Sequence, residues 1–389
     1  MPSFVLTDTT RSTHVDAFRT GAAELGLPSA VNWNVVKKAL RGGRRDGVDV
    51  IEVDNGALSL TIVPTRGMGI WKGLYRGLRL GWDSPVADGP VHPSQVNLEA
   101  WGGLGWLDGF DELLARCGLE TNGPPFRDGV RTYTLHGRIA NIPAHYVAVH
   151  IDNAPPHTIT VEGHVDEARL FGPRFRLVTK TSMVPGSNRV VVHDEVYNLK
   201  DQPTEIELLY HWNFGPPFLE EGSRFVAPVK TITPRTPHAA AAIGHYDVYG
   251  PPQPGFSEQV YFFELHSEGA EKRSLALLRN QAGDRGVALR FTTTQLPMFT
   301  LWKNTGGLAD GYVTGLEPGL NLPNPRAFET ARGRVSKIAP GASQVAQTVL
   351  EVVDAADAVA RLETEIKDLQ AHGAPKINAV PDEPFAPTD

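Results

Sequence analysis

The stretch RVVVHDEVYNLKDQPTEIELLYHWNFGPP, residues 189–217, decides how the chain folds. Two runs of alternating apolar and polar residues, RVVVHDEVYNL (189–199) and TEIELLYHWNF (204–214), flank the turn-forming NLKDQP at 198–203. Period-two alternation marks strands, and Asn, Asp and Pro between them mark a reversal, here the turn of an antiparallel meander. In the second run Ile206, Leu208, Tyr210 and Trp212 share one face, while Glu207, Leu209, His211 and Asn213 share the other. Side chains alternate across a strand, so His211 and Asn213 point together off the less apolar face. On this stretch alone, His211 reads as a buried structural histidine or as one turned towards a ligand.

The same rhythm recurs outward in VDVIEVD (48–54), ALSLTIV (57–63), HTITVEGHV (157–165), FRLVTKTSMV (175–184), VYFFEL (260–265), SLALLRN (274–280), GVALRFTT (286–293) and MFTLWKN (298–304). Gly and Pro, 39 and 31 of 389 residues, punctuate these runs, as at PGSN (185–188). Many short strands without alternating helices predict an all-β fold, a large antiparallel β-sandwich with a few short helices. Residues 14–26 and 109–119 fit short helices, and 355–371 fits a C-terminal amphipathic helix. The expected organisation is a sandwich domain over 48–352, an N-terminal extension over 1–47 packed on it, and a helix with a Pro-rich acidic tail over 353–389. That tail is expected to hug the surface or to be disordered. Residues 83–129 break the strand rhythm and read as an insertion lining a cleft. Its Trp101, Trp106 and Phe110 suit stacking on a ligand with apolar faces, such as a sugar ring, or gluing the insertion to the sheet.

Bulk properties exclude several classes. A formal charge of −7, with RGGRR at 41–45 as the densest basic run, argues against a nucleic-acid partner. Cys117 is the only cysteine, so neither an intrachain disulfide nor a Cys-built zinc site can form, and a reducing, cytoplasmic setting is expected. The start MPSFVLTDTT lacks the layout of a signal peptide, and no run reaches the roughly 18 apolar residues of a membrane span. A soluble protein with no membrane partner is expected. GMGIWKG (67–73) has the wrong glycine spacing for a dinucleotide loop, and Walker, HExxH and GxSxG signatures are absent.

Titratable residues instead gather at strand ends beside Gly and Pro in three places. TLHGRIANIPAH (134–145) carries His136, Arg138 and His145; the opening stretch carries His211 and Asn213; GYVTGLEPGLNLPNPR (311–326) carries Glu317. One glutamate with two histidines is a workable acid/base set near neutrality. In this order the segments resemble the galactose mutarotase (aldose 1-epimerase) superfamily, in its bacterial aldose-epimerase-like branch. LHG at 135–137 resembles the family's Leu-His-Gly-Gly segment, whose histidine contacts the sugar near its ring oxygen. YNLKDQPTEIELLYHWNFG resembles the segment that ends in the acid-bearing His-x-x-Phe-Asn strand, and GLEPGLNLPNP the late segment with the general-base glutamate. The resemblance spans about 48 to 352 and implies His211 as general acid, Glu317 as general base and His136 as a ring-oxygen contact. Arg66, in PTRGMG, falls where the family places a substrate-binding arginine. Asp247, in HYDVYG, stands in for an aspartate without a secure counterpart. His145, Asn213, Asn122, Trp101 and Arg138 complete the expected substrate contacts. The sequence departs from the family at Arg138, which replaces the second Gly of Leu-His-Gly-Gly, and in the Trp-Asn-Phe after His211.

The resemblance implies a cofactor-independent epimerase that opens a sugar ring by acid/base catalysis and recloses it on the other face. The expected partners are a small-molecule sugar and, in a homodimer, a second copy of the chain. Arg66 and Arg138 add the expectation of an acidic or modified sugar, unless they pair with acids such as Asp83, Asp108 or Glu99. Two other readings stand beside it. His136, His145, His211 and Glu317 together make an N/O ligand set for a divalent metal ion, which would serve a metal-dependent isomerase, epimerase or lyase. A non-catalytic carbohydrate-binding protein would keep only the concave sheet.

Overall fold

Alternation sends one face of each strand inward, and the strands assemble into two large, mainly antiparallel sheets. The structure, a computed structural model, describes residues 1–27 and 31–387. A ten-stranded sheet holds Arg189–Asn198 between Arg174–Met183 and Ser343–Val353 and ends in Ser3–Asp8 and Thr13–His14. A 14-stranded sheet holds Thr204–Phe214 between Leu114–Leu119 and Tyr312–Gly319, with Met298–Thr305 and Gln259–Leu265 following. The all-β sandwich expected from the alternating runs is therefore the observed fold.

The two runs of the opening stretch lie in opposite sheets, which corrects the expected hairpin. Both edges of Arg189–Asn198 are already taken by its neighbours, so the NLKDQP segment carries the chain across the end of the sandwich. Asn198 fixes that crossing by donating its side-chain amide to Gln202 O at 2.8 Å and Ile338 O at 2.9 Å. Ile206, Leu208, Tyr210 and Trp212 then face Leu177, Val190, Val192 and Val196 in the main core. A buried ion pair spans the layers: Arg116 Nη2 donates to Asp194 Oδ1 at 2.9 Å, and Tyr210 Oη to Asp194 Oδ2 at 2.9 Å.

The opposite face of Thr204–Phe214 is also covered. Leu209 packs with Trp82, Trp106, Phe110, Ala115 and Cys117, so the segment before residue 111 forms a lid of aromatic side chains on the outer face of the sheet. Residues 109–119, expected as a helix, instead contain the strand Leu114–Leu119, buried along its whole length. A strand slotted inside a sheet is apolar on both faces, and a short run of that kind carries no periodicity to separate it from a helix. The other expected early helix, 14–26, resolves into Phe18–Gly21, which edges the sheet, and the single turn Ala22–Leu25. At the C-terminus the expected helix is present as Ala356–Gln370, with Val359, Leu362, Ile366 and Leu369 packed on Leu275, Leu277 and Ala288. After it, Lys376–Ile377 pairs in parallel with Val229–Pro234, and Phe385 and Ala386 are buried. Among the described residues no helix is long and apolar enough to cross a membrane.

Candidate active site

The register between Thr204–Phe214 and Tyr312–Gly319 builds the centre of the site. Leu209 lies opposite Gly319 and Trp212 opposite Leu316, which sets His211 across from Glu317. Pro318 has no N–H to give the ladder there, so the pairing opens locally. Directly opposed residues on one face of a sheet bring their side chains together. His211 Nε2 lies 3.2 Å from Glu317 Oε1, with both side chains buried. Gly315 makes the room: a Cβ there would sit 2.4 Å from Glu317 Oε1 and 3.0 Å from His211 Cε1.

Asn213 settles which imidazole nitrogen exchanges protons. Its amide nitrogen donates to Glu112 O and His211 O, both at 3.0 Å, leaving Oδ1 to face His211 Nδ1 at 2.6 Å. An amide oxygen only accepts, so Nδ1 carries hydrogen and Nε2 faces Glu317. Burial pushes the His211 pKa well down and the Glu317 carboxyl well up. The pair therefore shares one proton, held as neutral acid with neutral imidazole or as carboxylate with imidazolium. Glu317 Oε1 has no aligned hydrogen bond despite the short contact, which leaves a buried acceptor turned to the cleft.

His136 stands beside this pair on a tight turn, with φ of 56° in the left-handed region. Gly137 follows with φ of 70°, where a Cβ would meet Gly118 O and Thr121 O at 2.3 Å, so the turn requires glycine. His136 Nδ1 donates to Asn122 O at 2.8 Å, which leaves Nε2 as an acceptor. Burial lowers its pKa to about 4, so the ring is neutral at pH 7. Its ring lies 5.5 Å from that of His211 and 4.7 Å from Trp106. The three groups line one cleft of about 250 Å³, walled by Trp106, Phe110 and Trp302. This volume is below that of most drug-binding pockets and suits a monosaccharide.

Of the other expected contacts, Asn213 and Asn122 are present but face inward as supports. The Asn122 side chain exchanges amide bonds with Asn321 at 2.8 and 3.2 Å, and only its backbone carbonyl meets His136. Arg66 is a correction: it is buried and donates to Glu112 Oε1, Asn141 Oδ1 and Gly109 O, so its donors are engaged inside the protein. It nonetheless underpins the site, because Glu112 is the residue whose carbonyl receives Asn213. Arg138 lines a separate cavity with Glu167 and Arg169, since the turn that aims His136 into the cleft aims its second neighbour away. His145 lies instead on the ten-stranded sheet, just before its inner strand Tyr146–Ile151, 3.2 Å from Asp166. Trp101 is 77% exposed outside the cleft lining, and Asp247 pairs with Arg224 at the surface. The four-residue metal set is thus not assembled, and among the described residues no group of three or more His, Cys, Asp or Glu is arranged to hold a metal.

The sequence reading missed Thr300, Trp302, Arg235 and Glu258, all of which line the cleft. Thr300 pairs with Glu317 across the ladder, so the parity of MFTLWKN pointed to Thr300 and Trp302 once Glu317 was singled out. Arg235 and Glu258 lie just outside regular strands, where parity carries no signal.

A family model described as a domain of unknown function, DUF4432, matches residues 45–352. The chain belongs to the DUF4432 family. A candidate aldose 1-epimerase from Klebsiella pneumoniae has the same fold, with TM-score 0.95 and 34% identity over 98% of each chain. This DUF4432 chain is also similar in fold to a galactose mutarotase-like protein from Clostridium acetobutylicum, with TM-score 0.55 and 14% identity over 82% of this chain and 98% of that one. A galactose mutarotase related enzyme from Lactobacillus acidophilus gives TM-score 0.52 and 14% identity over 79% and 98%. No protein of curated function matches. The resemblance to the aldose 1-epimerase and galactose mutarotase superfamily holds at the level of fold and membership.

Proposed function

We propose that this DUF4432 protein is an enzyme that interconverts the anomers of a reducing sugar. The observation that carries the reading is the His211–Glu317 contact of 3.2 Å on the floor of an aromatic cleft, with His136 beside it. Anomer exchange needs one base and one acid that differ by a single proton, and this pair holds one. A sugar entering the cleft takes the place of the direct contact. Glu317 removes the proton of the C1 hydroxyl while His211 Nε2–H protonates the ring oxygen. The C1–ring oxygen bond breaks, C1 becomes an aldehyde, and the pair is left as neutral acid and neutral imidazole. That is the form burial favours, so the open-chain state is not penalised electrostatically. After rotation about C1–C2, the same transfers run backwards onto the other face. His136, neutral with a bare Nε2, accepts a hydrogen bond from a sugar hydroxyl. Each well-placed proton-transfer group contributes ~10²–10⁴-fold.

The protons balance on protein groups alone, so no cofactor enters the reaction. The test is exchange NMR across a panel of reducing sugars, with and without excess chelator. We expect faster exchange between the C1 protons of the two anomers, unchanged by chelator. No acceleration for any sugar, or a rate that needs added metal, rejects the reading.

A further inference from the structure

Arg235 enters the same cleft with its hydrogen-bonding groups unused. Its backbone is fixed, since Arg235 N donates to Val260 O at 2.9 Å at the end of Val229–Pro234. Its side chain is only 29% exposed, and its sole ionic neighbour is Glu258, at 3.9 Å from Nη1 and beyond hydrogen-bond reach. Its guanidinium makes no hydrogen bond among the described residues. Arginines of similar exposure in this protein find carboxylate acceptors, as Arg290 does on Glu351 and Arg176 on Asp166. Glu258 is held elsewhere: it accepts from Trp302 Nε1 at 2.7 Å and sits at the rim, 53% exposed.

The electrostatics point the same way. Arg235 is the one Lys or Arg among the described residues lining the cleft. Its charge is felt at both Glu317 and His136. It supplies the one guanidinium of the lining, a cation that does not depend on where the His211–Glu317 pair holds its proton. Arg66 and Arg138, the arginines first expected to read an acidic sugar, are turned elsewhere, and Arg235 occupies the position they lack.

We propose that Arg235 is a specificity residue that pairs with an anionic group on the sugar, a carboxylate or a phosphate, so that the substrates are acidic monosaccharides. A planar guanidinium meets either group with two parallel N–H···O bonds, and the loose 3.9 Å contact to Glu258 yields to them. The proposal rests on the cleft being a sugar site, as in the mutarotase reading.

Calorimetric binding and exchange NMR on glucose and galactose, their uronic acids and their 6-phosphates test it, using wild type, Arg235→Gln and Arg235→Lys. The wild type is expected to prefer one acidic class over the matched neutral sugar by about tenfold or more, the order of one charge-assisted pair. Preference for the uronic acid identifies a carboxylate, and preference for the 6-phosphate a phosphate. Arg235→Gln is expected to bring the acidic-to-neutral ratio near one, with Arg235→Lys in between because it keeps charge but loses the fork. Should Arg235→Gln not fold, the salt dependence of wild-type binding decides: only acidic sugars should weaken between low and high salt. Equal handling of neutral and acidic sugars by the wild type, or a preference that survives Arg235→Gln, overturns the proposal. Arg235-dependent binding of acidic sugars without anomer exchange keeps it and removes the mutarotase reading. Exchange of neutral sugars with no acidic preference does the reverse.

Discussion

His211 works only if its ring cannot turn over, and Asn213 is the residue that prevents it. Asn213→Leu removes the acceptor at Nδ1 and leaves Glu112 O and His211 O without their donor. We expect kcat to fall ~10–10²-fold, the low end of what one acid/base group supplies, with KM little changed. Asn213→Asp keeps an acceptor at Nδ1 but adds a charge that stabilises the imidazolium. Its activity should therefore persist to higher pH, with the alkaline limb of the pH–rate profile moved up. A purely structural Asn213 would move stability and leave that limb in place.

At the scale of elements, the site is a junction between a rigid sheet and the aromatic segment laid over it. Trp106 joins them, buried against Phe110 at 4.5 Å and His136 at 4.7 Å. Trp106→Ala should destabilise the protein by about 3–5 kcal/mol in denaturant titration, since it opens a large cavity. It should also wet the cleft and bring the Glu317 carboxyl back towards its ordinary range. How much of this was legible in the sequence follows from the same elements. His211 and Glu317 were readable because each sits in a long alternating strand at a turn of recognisable chemistry. Their opposition was not, because register is set by pairing between strands a hundred residues apart. Leu114–Leu119 was misread as helix because burial on both faces erases period two. The hairpin expected at NLKDQP was misread because a turn signal shows that the chain reverses and not which sheet receives it. Arg66 illustrates the opposite error: an arginine in the right segment, drawn inward by Glu112, which no local pattern announces.

At the scale of the whole molecule, buried carboxyls away from the cleft set how stability follows pH. Glu167 Oε2 accepts from Leu119 N at 2.9 Å, Oε1 is unpaired, and burial raises the pKa to about 7. A carboxyl is near 4.3 in the unfolded chain. Its raised folded value means that stability is full below about 4.3 and is lost as pH rises through about 7. Glu167→Gln keeps the acceptor for Leu119 and removes the ionisation. It should raise the Tm relative to wild type at pH 8 by several degrees, a gain of up to about 3 kcal/mol, and much less at pH 5. An equal change at both pH values would show that Glu167 is not protonated in the fold. His136 acts in the opposite sense: its pKa of about 4 makes stability fall as pH drops from about 6.5 towards 4. Between about 4.3 and 6.5 the two slopes are opposite in sign and largely cancel.

The central claim is that Glu317 and His211 exchange one proton with the two oxygens of a sugar's anomeric centre. It is tested most directly by exchange NMR of the anomeric protons with wild type and Glu317→Gln, using the sugar that the wild type turns over fastest. Glu317→Gln is isosteric and removes only the base, so the fold and the binding constant should hold while the catalysed exchange rate drops by ~10²–10⁴-fold. A Glu317→Gln protein that binds the sugar and retains more than about a tenth of the wild-type rate, below the loss expected from removing a general base, would contradict the account.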